Sequence, residues 1–257
     1  MKSNHLGQLF LIIIAGLLLV PISNTKAADS FDLGNQAYMH KDYTAALNDY
    51  RQTAAELGYS ASLLYNMGNS YTRLGKTGPA ILAYEQARLL EPSNPDIQAN
   101  LTAVRKANGI YRQDQPWWQR AITILNADQW LLISGISFAL FSACFLLPVL
   151  LKDTSWYTRT LKAATAVTLL CALLALVPAI YGYYHRQDGV VLDQTRLRIS
   201  PFAEADSAGT IKAGRIVHPL KSYKNYILIR DANNRKGWLA ADELGWLSRL
   251  GKTEEKP

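Results

Sequence analysis

The chain has 257 residues, a net charge of +7 from 27 Lys plus Arg against 20 Asp plus Glu, and 49% hydrophobic residues. That length admits one or two soluble domains, but the apolar residues gather in three uncharged blocks, Leu9 to Val20, Trp130 to Leu151 and Ala163 to Tyr184, which argues against a purely cytosolic enzyme. Cys144 and Cys171 both fall inside these blocks, so a disulfide framework, a CxxC redox pair and a Cys/His zinc site are all excluded.

Residues 1–27 read as a secretory signal. Lys2 gives a positive start, Leu9 to Val20 an apolar core, Pro21 a break and Ala27 the expected cleavage point. The core is too short to span a bilayer, and the segment after it is expected to be exported.

Residues 28–110 repeat themselves at an offset of 34: Gly34 with Gly68, Asn35 with Asn69, Ala46 with Ala80 and Tyr50 with Tyr84. That period is the one of tetratricopeptide (TPR) repeats, and Leu64, Met67, Gly68, Tyr71, Gly75, Ala80, Tyr84, Ala87 and Pro92 fall on the family pattern. Small Gly68 and Ala80 suit closely packed antiparallel helices, Gly75 the turn between them, and Pro92 a helix stop. Ile97, Leu101 and Val104 predict a third helix that caps the stack. Two repeats and a cap are short of the usual three, so a partner or self-association is expected to complete the α-solenoid. Gly75-Lys76-Thr77 is not a phosphate-binding loop, because Ser70 stands where that motif needs glycine and the context is helix-helix. The resemblance to TPR proteins implies a concave peptide-binding face lined by Phe31, Asn35, Tyr38, Tyr65, Asn69, Thr72 and Arg73, with the asparagines bonding a peptide backbone and Arg73 a carboxylate.

After a linker, Trp117, Trp118, Ala121, Ile122 and Leu125 recur at helical spacing, predicting an interfacial helix within residues 111–129. Residues 130–151 and 163–184 are each long enough, at about 1.5 Å per residue, to cross a roughly 30 Å hydrocarbon core. Trp130 and the tyrosines at 181, 183 and 184 sit at their edges. The loop 152–162 carries three bases and one acid, which suits the cytoplasmic side. Gly135, Ala139 and Ala143 in one span, and Ala164, Thr168, Ala172, Ala175 and Ala179 in the other, are expected to pack as a hairpin of small faces. Neither span holds an ionisable group of the kind a transporter needs, which leaves an anchor.

From residue 189 to 250 short β-rich runs alternate with turn residues, predicting a small all-β barrel with a charge of +4. Leu197 to Pro201, Gly214 and Gly237-Trp238-Leu239 resemble the bacterial SH3 domain, whose ligand surface would be Tyr223, Tyr226 and Trp238. Residues 251–257 form a polar tail. The basic surface suits an anionic wall polymer, a lipid surface or an acidic partner, and the charge near the spans is explained without nucleic acid.

The whole is expected to be a multidomain membrane protein: TPR α-solenoid, two-helix transmembrane hairpin and SH3-like barrel. Signal, repeats, hairpin and terminal SH3 domain together, with the run Tyr65 to Pro92, resemble the BatE-like proteins of bacterial aerotolerance (Bat) operons. The resemblance implies a multi-pass protein of the bacterial inner membrane with both domains periplasmic. It implies a non-enzymatic scaffold, and as partners the von Willebrand A-domain membrane proteins associated with MoxR-type ATPases, in an envelope complex linked to aerotolerance or stress. His5, His40, His185 and His218 are scattered and neither exported segment has a cysteine, so no catalytic, metal or cofactor residues are expected. The competing expectation is a module that binds or senses peptidoglycan through the SH3-like domain.

Overall fold

The computed structural model describes residues 25–110, 117–151 and 158–248. The expected signal core, the linker 111–116, the loop residues 152–157 and the tail 251–257 lie outside the described residues.

Five helices open the fold: α1 (Thr25–Met39), α2 (Tyr43–Leu57), α3 (Ala61–Arg73), α4 (Thr77–Leu90) and α5 (Pro95–Ala107), each packed on the next. Side chains of Asp42, Ser60 and Asn94 cap α2, α3 and α5 by accepting first-turn backbone N–H bonds. The 34-residue period is present as geometry. Lys41, Gly75 and Gly109 all take a left-handed conformation, with φ of 65°, 70° and 63°. After each, the next residue's N–H reaches five residues back at 2.9 Å: Asp42 to Ala37, Lys76 to Tyr71 and Ile110 to Arg105. This closes the last helical turn and reverses the chain. Helix α5, expected only as a cap, therefore follows the position of α1 and α3 through a third period. Close approach repeats too: a Cβ on Gly34 would meet Tyr50, and one on Gly68 would meet Tyr84.

Residues 189–246 form a curled antiparallel sheet: β1 (Gly189–Val191), β2 (Thr195–Arg198), β3 (Ser207–Ile211), β4 (Ile216–Tyr223), β5 (Tyr226–Asp231), β6 (Lys236–Ala240) and β7 (Leu244–Trp246). The order is β3-β2-β6-β5-β4-β1-β7. The β-rich runs at 190–191, 197–198, 210–211, 216–217 and 226–229 are strands, while β7, which pairs with β1, was not legible as one. Val191, Leu197, Ile211, Val217, Ile229, Leu239 and Leu244 fill the inner face.

The helices and the sheet, expected as separate units, share a core. Val190, Leu192, Ile216 and Leu247 turn away from the inner face and pack with Ile81, Leu82 and Tyr84 of α4 and with Leu101, Val104 and Ile110. Three glycines permit this approach: a Cβ on Gly78 would strike the Leu192 carbonyl, one on Gly214 would strike Ile81 and Ile110, and one on Gly245 would strike Leu82. Gln86 Nε2 donates to the Trp246 carbonyl at 2.9 Å. The sheet thus covers the open end of the helical stack, which the repeat count alone expects a partner or self-association to complete.

Helix α6 (Trp117–Ile122) leads to α7 (Ala127–Leu151) and α8 (Thr158–His185), two helices long and apolar enough to cross a membrane. They pack along each other. Ala172, Ala175 and Ala179 of α8 are buried as expected. The stripe Gly135, Ala139, Ala143 is not at the contact: nothing lies within 4 Å of a Cβ on Gly135, and both alanines are exposed. Instead Trp130, Ser134, Ser137, Phe141, Ser142 and Cys144 are the partly buried positions among the described side chains of α7, and Ser134 Oγ donates to the Ala172 carbonyl at 2.9 Å. That hydrogen bond crosses the contact between the two helices and marks which face of α7 meets α8. The pair is stapled to the helical unit at its base, where Asn126 Nδ2 donates to the Leu90 carbonyl at 3.2 Å and Ser93 Oγ to the Ile124 carbonyl, while Arg186 pairs with Asp128 at 3.0 Å and ties the end of α8 to the start of α7.

Gly78→Ala forces a methyl into backbone of the sheet, and overpacking of this kind costs about 1–3 kcal/mol. Urea unfolding of the purified chain should show that loss, whereas Gly135→Ala, inside a helix with open space around it, should not lower the midpoint.

Candidate functional site

The seven residues expected on the concave face come together, but most are committed to one another. Asn35 Oδ1 accepts from the Tyr50 hydroxyl at 2.9 Å and from Asn66 Nδ2 at 3.0 Å. One period on, Asn69 Oδ1 accepts from the Tyr84 hydroxyl at 2.7 Å and from Asn100 Nδ2 at 2.9 Å. Each asparagine has spent its acceptor inside the fold, so only its Nδ2 remains to meet a ligand. Phe31 and Tyr65 brace the two tyrosines, with ring centroids 5.9 and 6.0 Å away. Thr72 Oγ1 donates to the Gly68 carbonyl at 2.8 Å. Arg73 Nε reaches the Tyr38 hydroxyl at 3.4 Å, and that bond raises the guanidinium's pKa further.

Between these groups Asn35, Tyr38, Met39, Tyr50, Asn66 and Asn69 line a cavity of about 160 Å³. It offers amide donors and aromatic walls, with an exposed cation at its rim: the chemistry of an extended backbone and a carboxylate. Asn66 and Asn100 were missed in the sequence although they too are 34 apart, because their pairing partners lie on a different helix.

A second cleft, of about 560 Å³, lies on the opposite face of α3. Arg51, Tyr59, Met67, Tyr71, Gln86 and Leu192 are among its walls, so helices and sheet both contribute. Arg51 Nη2 donates to the Tyr71 hydroxyl at 3.1 Å.

On the sheet, Tyr223, Tyr226 and Trp238 share the outward face. Tyr223 pairs with Tyr226, and Trp238 lies between Arg198 and Leu228. Trp238 is half-buried rather than in the core. The Arg198 guanidinium lies 5.7 Å over the Tyr226 ring, and Lys224 Nζ 5.7 Å from that of Tyr223. Glu243 holds Arg198 in place: its carboxylate accepts from Arg198 at 3.0 Å, from Thr195 and from the Ala240 N–H at 2.7 Å. Burial alone would raise the Glu243 pKa; these bonds outweigh it and hold the group below the usual carboxylate range. Arg196, Lys221, Lys224, Arg230 and Lys236 stay exposed around the rings.

No protein-family model matches the chain, and no curated protein matches it in sequence.

Burial pushes the phenols of Tyr50 and Tyr84 up from 10.0 to about 12. A group whose pKa is raised on folding supports the fold below its unfolded value and loses that support as pH rises through the folded one. Stability should therefore hold up to about pH 10 and fall towards pH 12. An ultraviolet tyrosine titration should show two phenols ionising last, and Tyr50→Phe and Tyr84→Phe should each remove one. Each substitution should also cost about 1 kcal/mol, the usual worth of one hydrogen bond.

Proposed function

We propose that the protein is a membrane-anchored, non-enzymatic scaffold whose TPR-type helical unit receives an extended segment of another exported membrane protein. The observation that carries this reading is the periodic Asn–Tyr contact: Asn35 with Tyr50 and Asn69 with Tyr84, repeated 34 residues apart, present two amide groups at matched positions along one face. A backbone in extended conformation offers carbonyls in such a series, and Arg73 supplies a cation beside them.

The anchor is α7 and α8. Their outward faces expose Leu132, Ile136, Phe138, Leu173, Leu174 and Val177, each more than half exposed, an apolar surface far larger than a soluble monomer tolerates. On this reading the pair is a transmembrane hairpin in a bacterial inner membrane. The helical unit and the SH3-like sheet then stand together on the periplasmic side. The partners are those implied by the resemblance to BatE-like proteins, the von Willebrand A-domain membrane proteins of a MoxR-associated envelope complex.

The basic, aromatic face around Trp238 favours a second reading, in which the sheet binds peptidoglycan. Affinity capture from membranes with the full chain separates the two. Arg73→Glu reverses the exposed cation without disturbing a buried contact, and should reduce captured membrane proteins about tenfold, while Trp238→Ala leaves them unchanged. If both variants keep their protein partners and Trp238→Ala loses binding to isolated wall, the wall reading replaces the scaffold.

A further inference from the structure

The base of the α7–α8 pair carries a cavity that the scaffold reading does not use. About 70 Å³ in volume, it lies between the end of α4, the turn from α6 into α7 and the last two turns of α8. Ala127 and His185 both line it, and these are the residues at which one apolar span begins and the other ends. In a membrane the cavity therefore falls at the level of the lipid headgroups.

Its walls are chemically divided. Leu89, Ile122 and Leu125 are apolar, Arg88, Arg186 and His185 are basic, and no acid is among its described lining residues. Each arginine is positioned by a carboxylate and keeps donors unspent. Arg88 gives Nε and Nη2 to Glu85; that carboxylate is fully buried, whereas the arginine side chain is 19% exposed, so Nη1 remains within reach of a ligand. Arg186 gives Nη2 to Asp128 at 3.0 Å and is 29% exposed, which leaves Nε and Nη1. His185 Nδ1 donates to the Tyr181 carbonyl at 3.1 Å, which leaves Nε2. The remaining acids of these segments are engaged elsewhere: Asp188 by His218 at 2.7 Å and Glu91 by Asn94 at 2.9 Å.

Two planar guanidinium groups with free donors at one small cavity are the chemistry that holds a phosphate. The apolar walls suit the ester and acyl carbon that hang from it in a lipid. Tyr181, edge-on to Trp118 at 6.3 Å, adds the aromatic border usual at headgroup depth.

We propose that this cavity binds the phosphodiester of an anionic glycerophospholipid, with Arg88 and Arg186 holding the phosphate oxygens. The lipid then bridges α4, the α6–α7 turn and α8, so the membrane itself helps to fix the repeats on the hairpin. This rests on α7 and α8 being membrane-spanning.

Native mass spectrometry of the full chain in dodecyl maltoside, titrated with phosphatidylglycerol or with phosphatidylcholine, tests the site. The first phosphatidylglycerol should bind several-fold more tightly than the first phosphatidylcholine. Arg186→Gln removes charge-assisted hydrogen bonds and should weaken phosphatidylglycerol about tenfold. Asp128→Asn breaks the same ion pair but keeps the cation, and should not weaken it. Equal weakening by both variants would mean that Arg186 only ties α8 to α7, and would overturn the proposal, as would an unchanged affinity in Arg186→Gln. Inorganic phosphate should not displace the lipid; displacement that depends on Arg186 would assign the cavity to a soluble phosphate and overturn the lipid. The spanning reading is checked apart, by a spin label at Ala139→Cys, with Cys144 and Cys171 replaced by alanine, in phosphatidylcholine–phosphatidylglycerol nanodiscs. Collision with oxygen should there far exceed collision with a water-soluble nickel chelate. A water value at 139 overturns the spanning reading; hydrocarbon at 139 without a preference for phosphatidylglycerol overturns the lipid site alone.

Discussion

Helix α4 is enclosed on every side, and the arrangement of the molecule follows from that enclosure. Ala80, Ile81, Leu82, Ala83, Tyr84 and Ala87 are all buried, and so are Glu85 and Gln86 between them. A helix with no solvated stripe must neutralise any charge it keeps. Glu85, fully buried, does so by accepting from Arg88 at 2.7 Å and from Arg105 of α5. The carboxylate holds Arg88 protonated against its own burial. Removing one partner of such a group costs about 3–5 kcal/mol, because the others are left charged without water. The network therefore ties α4 to α5 at the level where the sheet packs on both.

Sharing α4 gives the unit a defined posture. The same helix walls the larger cleft through Leu82, Ala83 and Gln86, meets the sheet at Gly245, and ends where Asn126 and Ser93 fasten the base of α7. A segment held against α3 on the proposed scaffold face would be positioned relative to α7 and α8 by packed helices and not by a flexible linker. The sheet's part in this is structural: it closes an end of the stack that further helices would otherwise have to cover.

Much of this was legible in the sequence, and the failures have physical reasons. The 34-residue offset put the helices and the Gly75 turn in place; it missed the first turn, because Lys41 stands where the later copies have glycine. Asn35 and Asn69 were expected on the inner face, but whether their carbonyls were available depended on Tyr50 and Tyr84, fifteen residues away on another helix. Spacing by four found a small-residue stripe in α7 without its direction, and the face that meets α8 is the one that carries Ser134. The contact between helices and sheet left no periodic trace at all. Gly78, Gly214 and Gly245 look in sequence like ordinary helix-start and turn residues, and only their neighbours across the interface reveal why a side chain is forbidden.

Hydrogen exchange of the backbone amides in rising urea tests most directly whether α4 joins helices and sheet into one cooperative body. Amides of α4 between Ala80 and Ala87 should lose protection together with those of Val190 and Val191 in β1 and of Leu244 to Trp246 in β7, at one urea midpoint. Loss of protection across the sheet while α4 stays protected would show two independent units, and would contradict the shared core.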